Sequence, residues 1–165
     1  MSRLTLFGVD PLRTTLWLVA AGAALLSGCS SGPPPPPFKP IADVKQLMQG
    51  TIDPNADAIW EATGWIDTAA GTQERRPKNQ AEWDAVRNSA ITLTEAGNLL
   101  MMAPRAKDGG EWMARSQELI DTGFAAWQAA EARNVGALFT VGGDIYEACS
   151  HCHQQYMDAI KNANK

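Results

Sequence analysis

The sequence has few residues that carry redox or metal chemistry. Its 165 residues include three cysteines, Cys29, Cys149 and Cys152, and two histidines. No apolar run reaches the roughly 20 residues of a membrane-spanning helix. The formal net charge of −4 argues against nucleic acid as a partner, because phosphate binding needs a basic footprint. We find no nucleophile paired with a base, no phosphate loop and no carboxylate dyad, and therefore do not expect an enzyme.

The N-terminal segment has the order of a secretory signal. Arg3 and Arg13 flank a polar start, and residues 16–26 (LWLVAAGAALL) form an apolar stretch of signal-core length. It runs into Leu26-Ser27-Gly28-Cys29, which resembles a bacterial lipobox. This pattern predicts a lipoprotein signal peptide over 1–28, cleavage before Cys29 and lipidation of that cysteine. The alternative is an ordinary secretory signal.

Several acyl chains on one residue make a stable membrane anchor. Ser30 follows the lipidation site, in place of the Asp that, by resemblance to lipoproteins, retains them at the inner membrane. We therefore expect attachment to the outer membrane, facing the periplasm. Loss of residues 1–28 removes two positive charges and one negative charge, so the formal net charge falls from −4 to −5.

Residues 29–40 are predicted to be a linker. They include SSGPPPPPFKP over 30–40, and five consecutive prolines favour an extended polyproline II conformation. At about 3.1 Å per residue, this segment would hold a domain on the order of 30 Å from the lipid. A polyproline docking ligand is the alternative interpretation.

From residue 41 to 165 the pattern is helical, and no convincing alternating strand is found. Gly50 and Asp53-Pro54 predict a break in the first helix, with Asp53 capping a restarted turn; residues 65–78 resemble a loop. Two capping patterns, Asn79 with Glu82 and Asp108 with Glu111, introduce further helices. The last helix is predicted over about 135–160. An antiparallel four-helix bundle is the economical all-α fold.

The last helix carries Cys149-Ser150-His151-Cys152-His153, the C-x-x-C-H pattern of covalent c-type haem attachment. Positions 149, 152 and 153 share one helix face, so two thiols can bind one porphyrin while the next imidazole reaches its iron. A zinc site, a redox disulfide and a structural disulfide are rival interpretations. None of the three explains the spacing and His153 together.

A haem motif near the end of a four-helix chain resembles the cytochrome c′ family, the class II c-type cytochromes. The resemblance covers about residues 41–160 and rests on Cys149-x-x-Cys152-His153, then Tyr156, with Gly142, Gly143 and Ile145 before them. It implies one covalent haem c with His153 as the proximal iron ligand. It also implies that Met48 occupies the distal first-helix position, where a methionine makes the iron six-coordinate. Met48 as plain core is the alternative, and Met101, Met102 and Met113 are competitors.

These expectations predict a membrane-anchored one-electron carrier that exchanges electrons with redox partner proteins of the periplasm or membrane. The acidic charge favours a basic patch on the partner. The alternative is a five-coordinate haem protein that binds or senses nitric oxide or carbon monoxide, which requires Met48 to be off the iron. Members of the family often form homodimers, so a homodimer is one state that the resemblance allows.

Overall fold

The computed structural model describes residues 38–163, with side chains up to Met157. The signal peptide over 1–28, the lipidation residue Cys29 and linker residues 29–37 lie outside the described residues, and those predictions stay predictions. Within the described range, no helix is both long enough and apolar enough to cross a membrane.

The described chain is mostly helical, as the sequence predicts. It comprises α1 (Val44–Leu47), a π-helical segment (Met48–Ile52), α2 (Asp53–Ala62), β1 (Gly64–Thr68), β2 (Gly71–Arg75), α3 (Gln80–Met101), α4 (Glu111–Glu131) and α5 (Val135–Ala163). The three long helices carry the apolar stripes expected from the sequence. For α3 the buried stripe includes Trp83, Val86, Ala90, Leu93, Gly97 and Leu100.

Helices α3 and α4 run side by side in opposite directions. A Cβ at Gly97 would lie 2.5 Å from Ile120 Cγ1, and a Cβ at Gly123 would lie 2.8 Å from Thr94 Oγ1. The two glycines therefore let the helix backbones approach closely. Helix α5 runs antiparallel to α4. Helix α2 also contacts α5, because the Trp60 indole N–H donates to the Gly142 carbonyl at 2.7 Å.

The predicted break at Gly50 to Pro54 was wrong. The chain stays helical from Val44 to Ala62, through the π-helical segment, in which the Asp53 N–H donates to the Met48 carbonyl. A proline ring clashes with the carbonyl four residues before it, here that of Gly50, and a wider turn relieves the clash. Asp53 is the first residue of α2, after Ile52, and caps nothing with its side chain.

Residues 65–78 are not a plain loop. β1 and β2 form an antiparallel hairpin in which Trp65 pairs with Glu74, and both strands are almost wholly exposed. Gly64 and Gly71 adopt positive φ angles of 139° and 115°. Because the hairpin buries neither face fully, its sequence lacks the apolar alternation by which a strand is recognised.

The side chains of both predicted capping residues, Asn79 and Asp108, accept hydrogen bonds from backbone N–H groups. Asn79 does so as the predicted cap of its helix, and Asp108 does so from outside the capping position. The Asn79 side chain accepts from the Glu82 N–H at 3.0 Å, as expected. Helix α4 begins later than predicted, with Gly110 in the capping position. The Asp108 carboxylate, two residues earlier, accepts from the N–H groups of Gly110 and Trp112. The last helix begins at Val135 as predicted and ends at Ala163.

Candidate functional site

The C-x-x-C-H motif lies in the middle third of α5, at the edge of the core. Leu138 and Ile145 are fully buried, Ala148 is 2% exposed, and Cys149, Cys152 and His153 are each half-buried. The apolar stripe of α5 therefore continues into the motif, and the motif side chains reach the edge of the core. Both cysteines are free thiols.

A groove of about 780 Å³, here called the main groove, opens beside this part of α5. It is bounded by the motif, by the N-terminal end of α1 and by the segment between α3 and α4. Its lining residues are Pro40, Ile41, Ala42, Asp43, Val44, Lys45, Met48, Asp53, Pro104, Arg105, Lys107, Trp112, Cys152, His153, Tyr156 and Met157. The volume lies within the range of about 300–1,000 Å³ that is usual for small-molecule and cofactor sites.

Two smaller spaces adjoin the main groove and share its residues. A narrow cleft is lined by Met48, Asp53 and the three motif side chains, together with Ile52, Leu100, Arg115, Leu119 and Ala148. A side cavity of about 360 Å³ on the other flank of the motif is lined by Asp53, Ala56, Trp60, Tyr146, Cys149, Ser150, His153 and Gln154. His153 and Asp53 line all three spaces, so the imidazole stands at their junction.

Met48 lines the narrow cleft together with Cys149, Cys152 and His153, and the main groove together with Cys152 and His153. Met48 begins the π-helical segment and is half-buried against the core. The competing methionines, Met101, Met102 and Met113, line none of the three spaces. The structure therefore brings together Cys149, Cys152, His153 and Met48, although 100 residues separate Met48 from the nearest motif residue.

Burial changes the acidity of the two thiols. Desolvation, aided by the neighbouring Cys152 and by Asp53, raises the pKa of Cys149 to about 11. Desolvation also raises the pKa of Cys152. Both groups are therefore neutral thiols near pH 7. A redox-active cysteine pair depends on a lowered thiol pKa, so this environment is unlike that of a dithiol oxidoreductase.

His151, between the two cysteines, faces away from the groove and lines none of the three spaces. Its Nδ1 atom lies 2.9 Å from Glu118 Oε1 on α4, and Glu118 also accepts from Arg115 at 2.7 Å. Burial opposes ionisation of Glu118, yet the contacts with His151 and Arg115 together hold its pKa below the ordinary value. This contact directs the His151 side chain to helix α4 and not to the main groove.

Tyr156 lies one turn beyond His153 and takes part in a contact between α5 and α4. Its hydroxyl donates to the Asp108 carboxylate at 2.5 Å, and its ring packs edge-on against Trp112 with the centroids 4.9 Å apart. Burial, followed by the Asp108 contact, raises the pKa of Tyr156 to about 12. The Tyr156 bond and two backbone N–H bonds lower the pKa of Asp108. The pair fixes one wall of the main groove.

Sequence reasoning missed the charged residues that line the site, among them Asp53 and Arg105. Asp53 was interpreted as a helix cap, but it lines all three spaces. Arg105 was assigned no role, although it is only 7% exposed and lines the main groove. Its position just after Pro104, outside any periodic pattern, left no sequence signal of its burial.

Among the residues that the structure describes, no three His, Cys, Asp or Glu side chains cluster as a ready-made metal site. Haem iron takes at most two axial ligands from the protein, so its site does not require such a cluster. Comparison of the chain with protein-family models, with curated proteins and with solved structures gives no significant match.

Proposed function

We propose that this protein is a c-type cytochrome with a single covalent haem, and that it acts as a one-electron carrier. Cys149 and Cys152 hold the porphyrin through thioether bonds, His153 is the proximal iron ligand and Met48 is the distal ligand. One observation carries the proposal. Cys149, Cys152, His153 and the sequence-distant Met48 line one narrow cleft. Cys152, His153 and Met48 also line the adjoining main groove of about 780 Å³, and the other candidate methionines line neither.

The residues of the site fit a haem by their chemistry. Cys149, Cys152 and His153 follow one another at helical spacing of three and four, so two sulfurs and one imidazole face the same space. The wall of the groove is largely apolar, with Val44, Trp112 and Met157 among its residues. When bound, haem supplies an iron centre that gains and loses one electron, with a potential raised by Met/His ligation.

The rest of the proposal concerns what the chain itself does. His153 and Met48 would both bind the iron of a haem held here, and that iron would then have no free position for a substrate. The apolar walls exclude water and hold the ligands rigidly, and both effects tune the potential of a bound cofactor. We therefore propose a carrier and not an enzyme, with electron transfer through the open side of the groove.

We propose an antiparallel four-helix bundle of the cytochrome c′ type as the architecture. Its helices are α3, α4, α5 and the continuous helical run from Val44 to Ala62. The opposed directions of α3 against α4 and of α4 against α5 support this proposal, as does the Trp60 bond to the Gly142 carbonyl. The exposed β-hairpin is then an insertion between the first and second helices of the bundle.

For the cell, we propose a lipoprotein anchored through Cys29 to the outer membrane, facing the periplasm. Its partners are redox proteins of the periplasm or membrane. The lipobox-like Leu26-Ser27-Gly28-Cys29 supports the anchor, and the acidic net charge supports a basic docking patch on the partner.

The decisive experiment is expression of the full chain in a host with a working haem-attachment system. We expect a red protein whose mass includes one haem, whose pyridine haemochrome spectrum is that of haem c, and whose reduced spectrum is low-spin and unchanged by carbon monoxide. The double variant Cys149→Ala/Cys152→Ala should lack covalent haem, and Ser150→Ala, inside the same motif, should keep it. A colourless wild-type protein at apo mass contradicts the proposal. Rapid binding of carbon monoxide by the wild type would instead favour the gas-binding alternative.

A further inference from the structure

Arg105, in the segment between α3 and α4, is a buried cation at the main groove. Only 7% of the residue is exposed. Its Nε–H donates to the Ala42 carbonyl at 2.9 Å, and Nη1 donates to the Leu99 carbonyl at 3.1 Å. A guanidinium has five N–H donors. The hydrogen bonds of the described residues therefore use two of the five donors. Three N–H groups are left, one on Nη1 and two on Nη2.

The charge of Arg105 has no carboxylate partner in the described part of the chain, where the arginine ion pairs involve Arg76, Arg87 and Arg115. Its two acceptors are neutral carbonyls. Leu99 lies in the last turn of α3, and a helix C-terminus contributes only about half a negative charge. Buried charges in proteins are normally paired, but neither Asp43 nor Asp53, the two carboxylates that line the same groove, forms an ion pair with this guanidinium.

The geometry points to Arg105 as an anion-binding residue of the main groove. Its partner is a carboxylate of the cofactor that binds in this groove. This inference rests on the proposed function, under which that carboxylate is a haem propionate. Arg105 lines the groove together with Cys152 and His153, so its unused donors and the haem-attachment motif border the same space. Two N–H donors in the plane of a guanidinium match the two oxygens of a carboxylate.

A purely structural role for Arg105 is the competing explanation. Its two carbonyl contacts tie the chain before α1 to the end of α3, and loss of that tie would destabilise the fold whether or not an anion is bound. The experiment must therefore report on the carboxylate itself and on the charge near the iron. Stability alone does not separate the two explanations.

The test compares wild type, Arg105→Met and Arg105→Lys as full-length protein matured with haem. Arg87→Met is the matched control, because Arg87 pairs with Asp84 and Glu131 and lines none of the three spaces. In Arg105→Met we expect the propionate bending band of the resonance Raman spectrum to shift. We also expect the ferric form to be favoured by on the order of tenfold at the wild-type midpoint potential, because a nearby cation stabilises the reduced haem. Arg87→Met should change neither property by more than about twofold.

Arg105→Lys remains informative if Arg105→Met does not accumulate. It keeps the charge but loses the planar fork. We expect a wild-type ferric-to-ferrous ratio, within about twofold, and a shifted propionate band. A haem-loaded Arg105 variant with wild-type band and wild-type potential overturns the inference and leaves the proposed function intact. A colourless wild-type protein overturns the proposed function, and this inference with it.

Discussion

At the scale of single residues, the haem-attachment motif and Met48 were predicted on different grounds. Cys149, Cys152 and His153 are neighbours in sequence, so helical spacing alone places them on one face. Met48 was assigned by its resemblance to the distal position of a family, and periodicity alone leaves a core methionine as an equal explanation. The structure adds that Met48 lines the narrow cleft with all three motif side chains and the main groove with Cys152 and His153. Arg105 was beyond prediction, because burial of an isolated charge depends on elements distant in sequence. Asp53 is exposed, and nothing in its sequence position signals that it borders the site.

Met48→Ala is expected to change the coordination of the haem. Alanine provides no thioether, so the iron becomes five-coordinate, turns high-spin and binds carbon monoxide rapidly. Met113→Ala is the control, because Met113 packs against the core and lines none of the three spaces. Optical spectra of the reduced proteins with and without carbon monoxide provide the measurement. An unaltered low-spin spectrum in Met48→Ala would remove Met48 from the proposed ligand set.

The Tyr156 hydroxyl is expected to make stability sensitive to alkaline pH. Its pKa is raised from an ordinary value near 10 to about 12 in the folded chain. The folded state therefore holds this proton more tightly than the unfolded state, and the contribution is fully present below pH 10 and lost as the pH rises towards 12. Urea unfolding at pH 9 and pH 11 should show a larger loss of stability for wild type than for Tyr156→Phe, both in the same haem-loading state. Equal losses would contradict this assignment.

At the scale of elements, the three long helices were predictable because each has a continuous apolar stripe, and α3 also begins at a recognisable capping residue, Asn79. The π-helical segment was misread as a break, although its signal is visible in hindsight. Leu47 and Ile52 are both buried at a spacing of five, where an α-helix would give three or four. The hairpin had no such signal, since its exposed strands show no apolar alternation.

Close packing of α3 on α4 makes two helix-interior glycines essential. Alanine is ordinarily the better helix former by about 1 kcal/mol. Here, however, a Cβ at Gly97 would lie 2.9 Å from the Ser116 carbonyl oxygen, and one at Gly123 would lie 2.9 Å from the Thr94 backbone nitrogen. We expect Gly97→Ala and Gly123→Ala each to destabilise the fold by about 1–3 kcal/mol.

Gly143→Ala is the matched control for these two variants. Gly143 is also inside a helix, but an added Cβ there would meet nothing within 4 Å. We expect this substitution to be neutral or to stabilise the fold by up to about 1 kcal/mol. Chemical denaturation of all three variants measures the effect. Similar changes in stability at the three positions would show that helix propensity, and not the approach of α3 to α4, decides the outcome.

At the scale of the whole molecule, the proposed carrier is a haem domain held to a membrane by a short extended linker. Its five prolines over 33–37 favour a stiff spacer, which lets the domain meet partners without leaving the bilayer. Under this proposal, the anchor would confine the search for a partner to the layer next to the membrane. The acidic net charge would then orient encounters in a salt-dependent way.

Cys29→Ser should separate the anchor from the haem site. Without its thiol the chain cannot be lipidated, so we expect the protein to move from the membrane fraction to the soluble periplasmic fraction. Haem content and spectrum should be unchanged, because Cys149 and Cys152 are the attachment residues. Cell fractionation with detection of covalent haem provides the measurement. A Cys29→Ser protein that stays in the membrane fraction would argue against lipid anchoring at this residue.

The indole of Trp112 lines the main groove and that of Trp60 lines the side cavity. Haem absorbs at the wavelengths at which tryptophan fluoresces. A haem bound between these two indoles would therefore quench the fluorescence of both by energy transfer. Under the proposed function, tryptophan emission would report haem loading, because it would be bright before haem is attached and dim afterwards. The decrease in tryptophan emission over time would then measure the rate of haem attachment without an added label.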